Sequence, residues 1–345
     1  MAEALLVENP GLFTTVQDAG RYGWQRFGIS PAGAMDALSL RLANALVGNA
    51  PGCAALEVTA TGPTLRVEGA GCRLAWAGHM TASVGGRPLD GWTAHDLAPG
   101  ETLRCGAVRD GLRVVIAVAG GFDLPAVLGS LSTHTGTRLG GLDGRSLRAG
   151  DRLPLRWGGA NGPPLTLPTI HRPAPDGPVR VVFGPQDDHF TEAGRSAFLA
   201  GPYRVGAKSN RMGLQLEGPA IAFRGGYNIV SDGVVHGSIQ VAGAGLPIVL
   251  LADRQTTGGY PKIATAIGPD LPILARKRPG DVVRFEAVTP AEAEALARQA
   301  AATEAAALLA LVPYRRDPAT LDSGTLLGVN LIGGAVSATD GVPTP

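Results

Sequence analysis

The chain has 345 residues, and its 30 Lys and Arg against 29 Asp and Glu leave a formal net charge of +1. Hydrophobic residues make up 45% of it, too many for a disordered chain. The basic residues form no stripe that would mark a nucleic-acid or acidic membrane partner, and no apolar run approaches the roughly 20 residues that span a bilayer.

The first eight residues carry Glu3 and Glu8 and lack the basic n-region of a signal peptide. Cys53, Cys72 and Cys105 are odd in number and show no C-x-x-C spacing, so they read as reduced core residues. Both observations predict a cytoplasmic protein. The length suggests two domains. Many short β-rich runs, punctuated by 50 Gly and 27 Pro, point to barrels or sandwiches.

In chain order, residues 14–23 (TTVQDAGRYG) place Asp18 and Arg21 three apart across a glycine, either a structural turn with an ion pair or a ligand-facing loop. Asp36 predicts the cap of a helix over 39–47 that Gly48 closes. Residues 112–119 and 179–183 read as strands. Asp187, Asp188 and His189 are adjacent and would face opposite sides of a strand, so a solvated turn is expected rather than a metal site. GPYRVGAKS at 201–209 has one residue too many before its Lys to be a phosphate loop. No G-x-S-x-G elbow and no His pair of metal-binding spacing occurs, so no metal is expected.

Lys208, Asn210 and Arg211 in KSNRMGL form a loop of cations and an amide that suits an anion; a solvated turn remains the alternative. Residues 231–240 (SDGVVHGSIQ) hold Asp232 and Gln240. Strands are predicted at 239–242, 248–252 and 281–287. A final helix starts after Thr289, with Pro290 at the first helical position, and runs to about 311, its apolar end docking on its own domain or on a partner surface. The tail 312–345 carries an apolar patch at 326–332.

The segment richest in chemistry is 253–262 (DRQTTGGYPK), a polar, glycine-bearing loop behind the apolar run 246–252. It is the second member of an internal repeat. GLRVVIAVAGGFDLPAV at 111–127 parallels GLPIVLLADRQTTGGYPKI at 245–263; 62–69 (GPTLRVEG) parallels 218–225 (GPAIAFRG), and 148–155 (RAGDRLPL) parallels 278–285 (RPGDVVRF). Three blocks in one order predict two copies of one domain. Only the second copy carries the polar insert. The glycine pairs 120–121 and 258–259 predict turns with positive φ, and the second pair would also let backbone N–H groups approach a substrate. Phe122 reads as a structural cap on its barrel; Tyr260 is either its counterpart or a ligand contact.

The motifs TTVQDAGRYGWQRFGISPAGAMD, AN-x-LVGN, SNRMGLQLEGP, SDGVVHGSIQV and LLADRQTTGGYPKIA resemble the KipA-type family, which is allophanate-hydrolase-subunit-2-like and biotin-dependent-carboxyltransferase-like. The resemblance covers about residues 5–335. It implies a mainly β fold of two tandem cyclophilin-like β-barrel domains related by duplication. We place the first at 1–172 and the second at 178–288, with a C-terminal helix and tail at 289–345. The family includes the C component of prokaryotic ATP-dependent 5-oxoprolinase, which opens 5-oxo-L-proline to L-glutamate. It also includes half of the carboxyltransferase of urea carboxylase and partners of KipI-like regulators of histidine kinases.

On that reading Asp253, Arg254 and Lys262 are the catalytic candidates. Asn210, Arg211, Gln240, Gln255, Thr256, Thr257, Gly258, Gly259 and Tyr260 are the substrate-binding candidates, with Asp18, Arg21 and Asp232 secondary. The resemblance implies no cofactor held by this chain itself. ATP with magnesium is expected for the complex, and biotin only in the carboxyltransferase reading, since no Ala-Met-Lys-Met motif is present. The implied partners are a KipI-like B component and a LamB/YcsF-like A component. Two departures from the family are His236 and Ala242, where proline is frequent.

Overall fold

The structure, a computed structural model, describes residues 3–156, 162–174 and 176–314. Its first half is built from two antiparallel sheets around one core. One sheet runs, edge to edge, through Arg152–Pro154, Ala4–Asn9, Thr64–Glu68, Thr102–Val108, Met80–Val84 and Arg87–Pro88; the other through Phe13–Gln17, Ala55–Thr59, Arg113–Val118, Cys72–Ala77 and Ala94–Leu97. Alternation sets the inward faces: Leu65 and Val67 of one sheet meet Leu56, Val58 and Trp76 of the other.

The strand Arg113–Val118 is buried along its whole length. Val114, Ile116 and Val118 face the inter-sheet core, while Val115 and Ala117 lie under helix α1 (Ala37–Leu46). Two covered faces require an unbroken apolar run, which is why this strand is so plain in the sequence. Asp36 caps α1, its carboxylate accepting from Ser39 N at 2.9 Å.

The second half is one eight-stranded sheet in the order Val282–Val283, Tyr203–Val205, Gly213–Glu217, Pro247–Leu250, Ser238–Val241, Lys262–Ala266, Val179–Phe183, Phe285–Ala287. Its two edge strands are successive pieces of one chain segment, interrupted at Arg284. The sheet therefore closes on itself as a barrel, and the single strand expected at 281–287 is broken where it changes partner. Phe198, on helix α2 (Glu192–Ala200), stacks on Phe285 at 4.6 Å and plugs one end with Tyr203. Neither α2 nor helix α3 (Leu271–Arg276) is evident in the sequence. Both are too short to show a period, and Pro272 reads as a breaker, although at the second helical position it needs no hydrogen-bond partner.

One block of the repeat does not survive as structure. Residues 62–69 contain the strand Thr64–Glu68, but 218–225 run irregularly. A Cβ on Gly218 would lie 2.7 Å from the Tyr203 ring, so the chain turns tightly there and leaves the sheet. The C-terminal helix α4 (Pro290–Leu309) starts with the capping box of Thr289 and Glu292. Its end does not settle on its own barrel as expected. Ala307 is buried among Leu40, Leu46 and Ala117 of the first half, and Arg41 of α1 holds Glu304 in a bidentate pair.

Asp187–His189 form an exposed-to-half-buried 3₁₀ turn. The three cysteines are free, and burial pushes the thiols of Cys72 and Cys105 up to about 12. No helix among the described residues is long and apolar enough to cross a membrane. The patch at 326–332 lies outside the described residues.

The halves are joined by a buried ionic cluster. Arg211 donates from Nε and Nη2 to the two oxygens of Asp253, each at 3.0 Å, from Nη2 to Gly33 O at 2.6 Å, and from Nη1 to Glu57 Oε1. Glu57 accepts in turn from Met35 N at 2.7 Å, and Arg113, 3.7 Å from Glu57, donates to Ala275 O at 2.6 Å. Burial alone would lower the Arg211 pKa, but Glu57 and Asp253 outweigh it and raise it. Removing one partner strands the others' charge in a poor dielectric. Arg211→Ala should therefore lower unfolding stability by about 3–5 kcal/mol, read as a fall in the urea midpoint.

Candidate active site

The loop 253–262 connects the strands Pro247–Leu250 and Lys262–Ala266 across the mouth of the second barrel. Within it Thr257–Gly258 pairs with Asp232–Gly233 as a small two-stranded flap. A bulge shapes the wall below: Ile239 faces Ala264, but the next residue, Gln240, faces Lys262, so Ile263 is extra. Bulges of this kind re-aim side chains beside binding sites.

Lys262 is 2% exposed, yet its Nζ pairs at 2.8 Å with Oδ2 of Asp232, whose side chain is 52% exposed. Gln186 locks the pair. Its Nε2 donates to the same Oδ2 at 3.0 Å, and its Oε1 accepts from Lys262 N at 3.1 Å. Donation from Lys262 and Gln186 and from the Gly233 N–H, with the Lys262 charge, holds the Asp232 carboxyl below its usual range. Gln240 donates to Tyr260 O and accepts from Gln255 Nε2, both at 3.2 Å. Tyr260 is 40% exposed at the rim and Thr257 is exposed beside it. The result is a buried ammonium whose carboxylate partner faces solvent, braced by Gln186, with the linked amides of Gln240 and Gln255 in the same loop region. Such a cation can exchange its partner for a substrate anion, and the amides supply neutral donors and acceptors.

Gly258 is a glycine for a reason the sequence does not show. Gly120 and Gly121 have positive φ, as expected, but Gly258 and Gly259 do not. A Cβ on Gly258 would instead sit 2.3 Å from Gln240 Nε2.

The other candidates lie elsewhere. Successive residues of the loop point to different places. Asp253 goes to Arg211 in the inter-domain cluster, with both oxygens occupied, and Gln255 goes to the mouth. Arg254 is buried, donates to Leu251 O at 3.3 Å, and keeps a buried Nε without a partner. Burial lowers its pKa, partly offset by Tyr22. Asn210 is exposed and closes its own turn by accepting from Met212 N at 2.8 Å.

Asp18 and Arg21 serve the 127–133 loop. Asp18 accepts from Gly20 N, Ser130 Oγ, Leu131 N and Ser132 Oγ, while Arg21 donates to Ser132 O and Val127 O. Sequence reasoning missed Gln186, Glu57 and Ser132, which lie far along the chain from the loops they support. It marks His236 only as a departure from the family. That side chain's Nε2 is buried and unpartnered, and burial, with the charges of Arg254 and Arg211, pushes its pKa down to about 3. Among the described residues no group of three or more metal-binding side chains is present.

Residues 27–287 match the family model for the carboxyltransferase domain, subdomain A and B. The chain belongs to this carboxyltransferase family. It is 38% identical to the C component of 5-oxoprolinase from Escherichia coli strain K12, over 81% of this chain and 90% of the relative, and 35% identical to that of Haemophilus influenzae, over 83% and 91%. The urea amidolyase of Lachancea kluyveri is 30% identical over 82% of this chain but only 17% of its own length. Among solved structures, TTHA0988 superposes with a TM-score of 0.75 at 36% identity, covering 83% of this chain and 56% of that one. The Kluyveromyces lactis urea amidolyase superposes with a TM-score of 0.82 at 28% identity, covering 91% of this chain and 21% of that one.

A pH dependence follows from His236. Its imidazole stays neutral in the folded carboxyltransferase domain until about pH 3 but takes a proton near 6.5 when the chain unfolds. The associated stability is complete above about pH 6.5 and is lost as the pH falls from there toward 3, because the unfolded state binds the extra proton. His236→Gln should remove of order 1 kcal/mol of the wild-type stability loss between pH 7 and 5, measured by thermal unfolding at both pH values.

Proposed function

We propose that this chain is the C component of a cytoplasmic ATP-dependent 5-oxoprolinase that opens 5-oxo-L-proline to L-glutamate. The observation that carries this reading is the extent of the match. The two relatives named as the C component of 5-oxoprolinase align over 90% and 91% of their length, whereas the urea amidolyase of Lachancea kluyveri aligns over 17%. A KipI-like B component and a LamB/YcsF-like A component complete the enzyme in this proposal, and ATP with magnesium is supplied to the complex.

The barrel mouth suits the chemistry. A lactam is a resonance-stabilised amide. Phosphorylation of its carbonyl oxygen makes addition of water feasible, and breaking the C–N bond then leaves an acyl phosphate that a second water hydrolyses. A substrate carboxylate displaces Asp232 from Lys262, so the buried ammonium fixes the ring by its acid group. Gln240 and Gln255 address the amide, and Asp232, released from its partner, orients water as a base. Arg211 and Asp253 hold the base of the loop, and Arg254 lies behind it.

A second reading, half of a biotin-dependent carboxyltransferase acting on urea or a related small amide, is favoured by the family model and by the TM-score of 0.82 to the urea amidolyase. Lys262 then holds the carboxylate to be transferred, and a partner chain brings biotin.

The two separate in one assay, ATP-dependent glutamate release by this chain mixed with its A and B partners. Lys262→Met and Asp232→Asn should each lower kcat by about 100-fold while the complex still assembles on size exclusion. An assembled complex that releases no glutamate moves the assignment to carboxyl transfer. Unchanged turnover in both variants moves the chemistry away from the mouth.

A further inference from the structure

Two glutamine amides at the mouth are oriented by a single main-chain carbonyl. Gln240 stands opposite Lys262 in the strand register and is 3% exposed. Its side-chain amide meets Tyr260 O at 3.2 Å. A backbone carbonyl only accepts, so the NH2 end of Gln240 faces Tyr260 and its Oε1 faces the other way. There the Gln255 amide lies 3.2 Å off. An oxygen needs a donor, so Gln255 turns its own NH2 end toward Gln240. Gly258 keeps this arrangement in place, because a Cβ there would lie 2.3 Å from Gln240 Nε2 and 3.3 Å from its Oε1.

The relay ends at Gln255. A carboxamide has two N–H donors and one carbonyl oxygen. One N–H of Gln255 is spent on Gln240, and among the described residues its Oε1 meets no donor. The side chain is half-buried, and its Oε1 is not among the sealed, unpartnered atoms, so it reaches solvent. An uncommitted acceptor, linked through one amide to the strand position facing a buried ammonium, calls for a ligand with a donor close to its anion. A carboxylated lactam has that form, since its ring N–H is bonded to the carbon that bears the carboxylate. A ketone or lactone of the same shape carries no N–H and would leave the oxygen without a donor.

We propose that Gln255 is the specificity-determining residue of the mouth, its Oε1 accepting the ring N–H of a carboxylated lactam, which rests on the carboxylate being held at Lys262 as proposed above. Gln240 is a positioning residue that acts through Gln255, and Gly258 is the space that its amide requires.

The test is calorimetric titration of the full chain with 5-oxo-L-proline and with the cyclopentanone carboxylate in which methylene replaces the ring N–H. The lactam should bind with a Kd of about 1 mM or lower, and the ketone at least about tenfold more weakly. Gln255→Met should bring the ratio of the two affinities close to one by weakening the lactam alone. Gly258→Ala should lower the same ratio, since the Gly258 backbone is not left-handed and the added Cβ meets the Gln240 amide. A merely structural role would weaken both ligands together and leave the ratio unchanged. No lactam binding, equal binding of lactam and ketone by the wild-type chain, or an undiminished ratio in Gln255→Met overturns the proposal. Selective lactam binding without glutamate release from the assembled complex keeps Gln255 in this role and overturns only the reaction assigned above; glutamate release without that selectivity does the reverse.

Discussion

Arg211 is the constraint on which the rest of this molecule depends. A guanidinium so deeply buried needs its donors and its charge answered by fixed acceptors. It finds them on both halves of the chain, at Asp253 of the second barrel and at Glu57 and Gly33 O of the first domain. A fork of planar geometry sets distance and angle at once. The start of the 253–262 loop is therefore tied through one side chain to Glu57 and Gly33, and Glu57 in turn holds Met35 at the joint. Arg113 and Ala275 O, Leu112 N and Arg276 O, and Arg278 with Gly111 O repeat the stitching along the same seam.

With Asp253 pinned, the next residues of the loop are directed by the strand geometry that follows. The bulge at Ile263 sets Lys262 opposite Gln240, and pairing with Thr257–Gly258 places Asp232 at the ammonium. The candidate site is thus assembled from strands of a closed barrel and a short, exposed flap.

Much of the architecture was legible in the residues. The strands Val179–Phe183 and Arg113–Val118, α1 with its Asp36 cap and α4 with its capping box follow from local rules that need no partner. Less local features were misread. The block 218–225 resembles 62–69 in letters but lies against Tyr203 and leaves the sheet. The apolar end of α4 finds Leu40 and Leu46 of the other half rather than its own barrel. Composition shows that an apolar end will dock, not on what.

The sequence by itself determined the family, through long motifs in order, and the mainly β class, through short apolar runs bounded by turn residues. It also pointed to 253–262 as the candidate segment for chemistry, because polar side chains there interrupt the apolar run of the repeat. Only the tertiary structure decided how those side chains divide. Asp253 is drawn to a guanidinium 42 positions earlier, Arg254 is buried against Leu251 O, and Lys262 is held by Gln186, 76 positions before it. Side chains on neighbouring residues diverge according to backbone direction, and their partners arrive from distant strands. No local pattern records which of several nearby charges will be buried together.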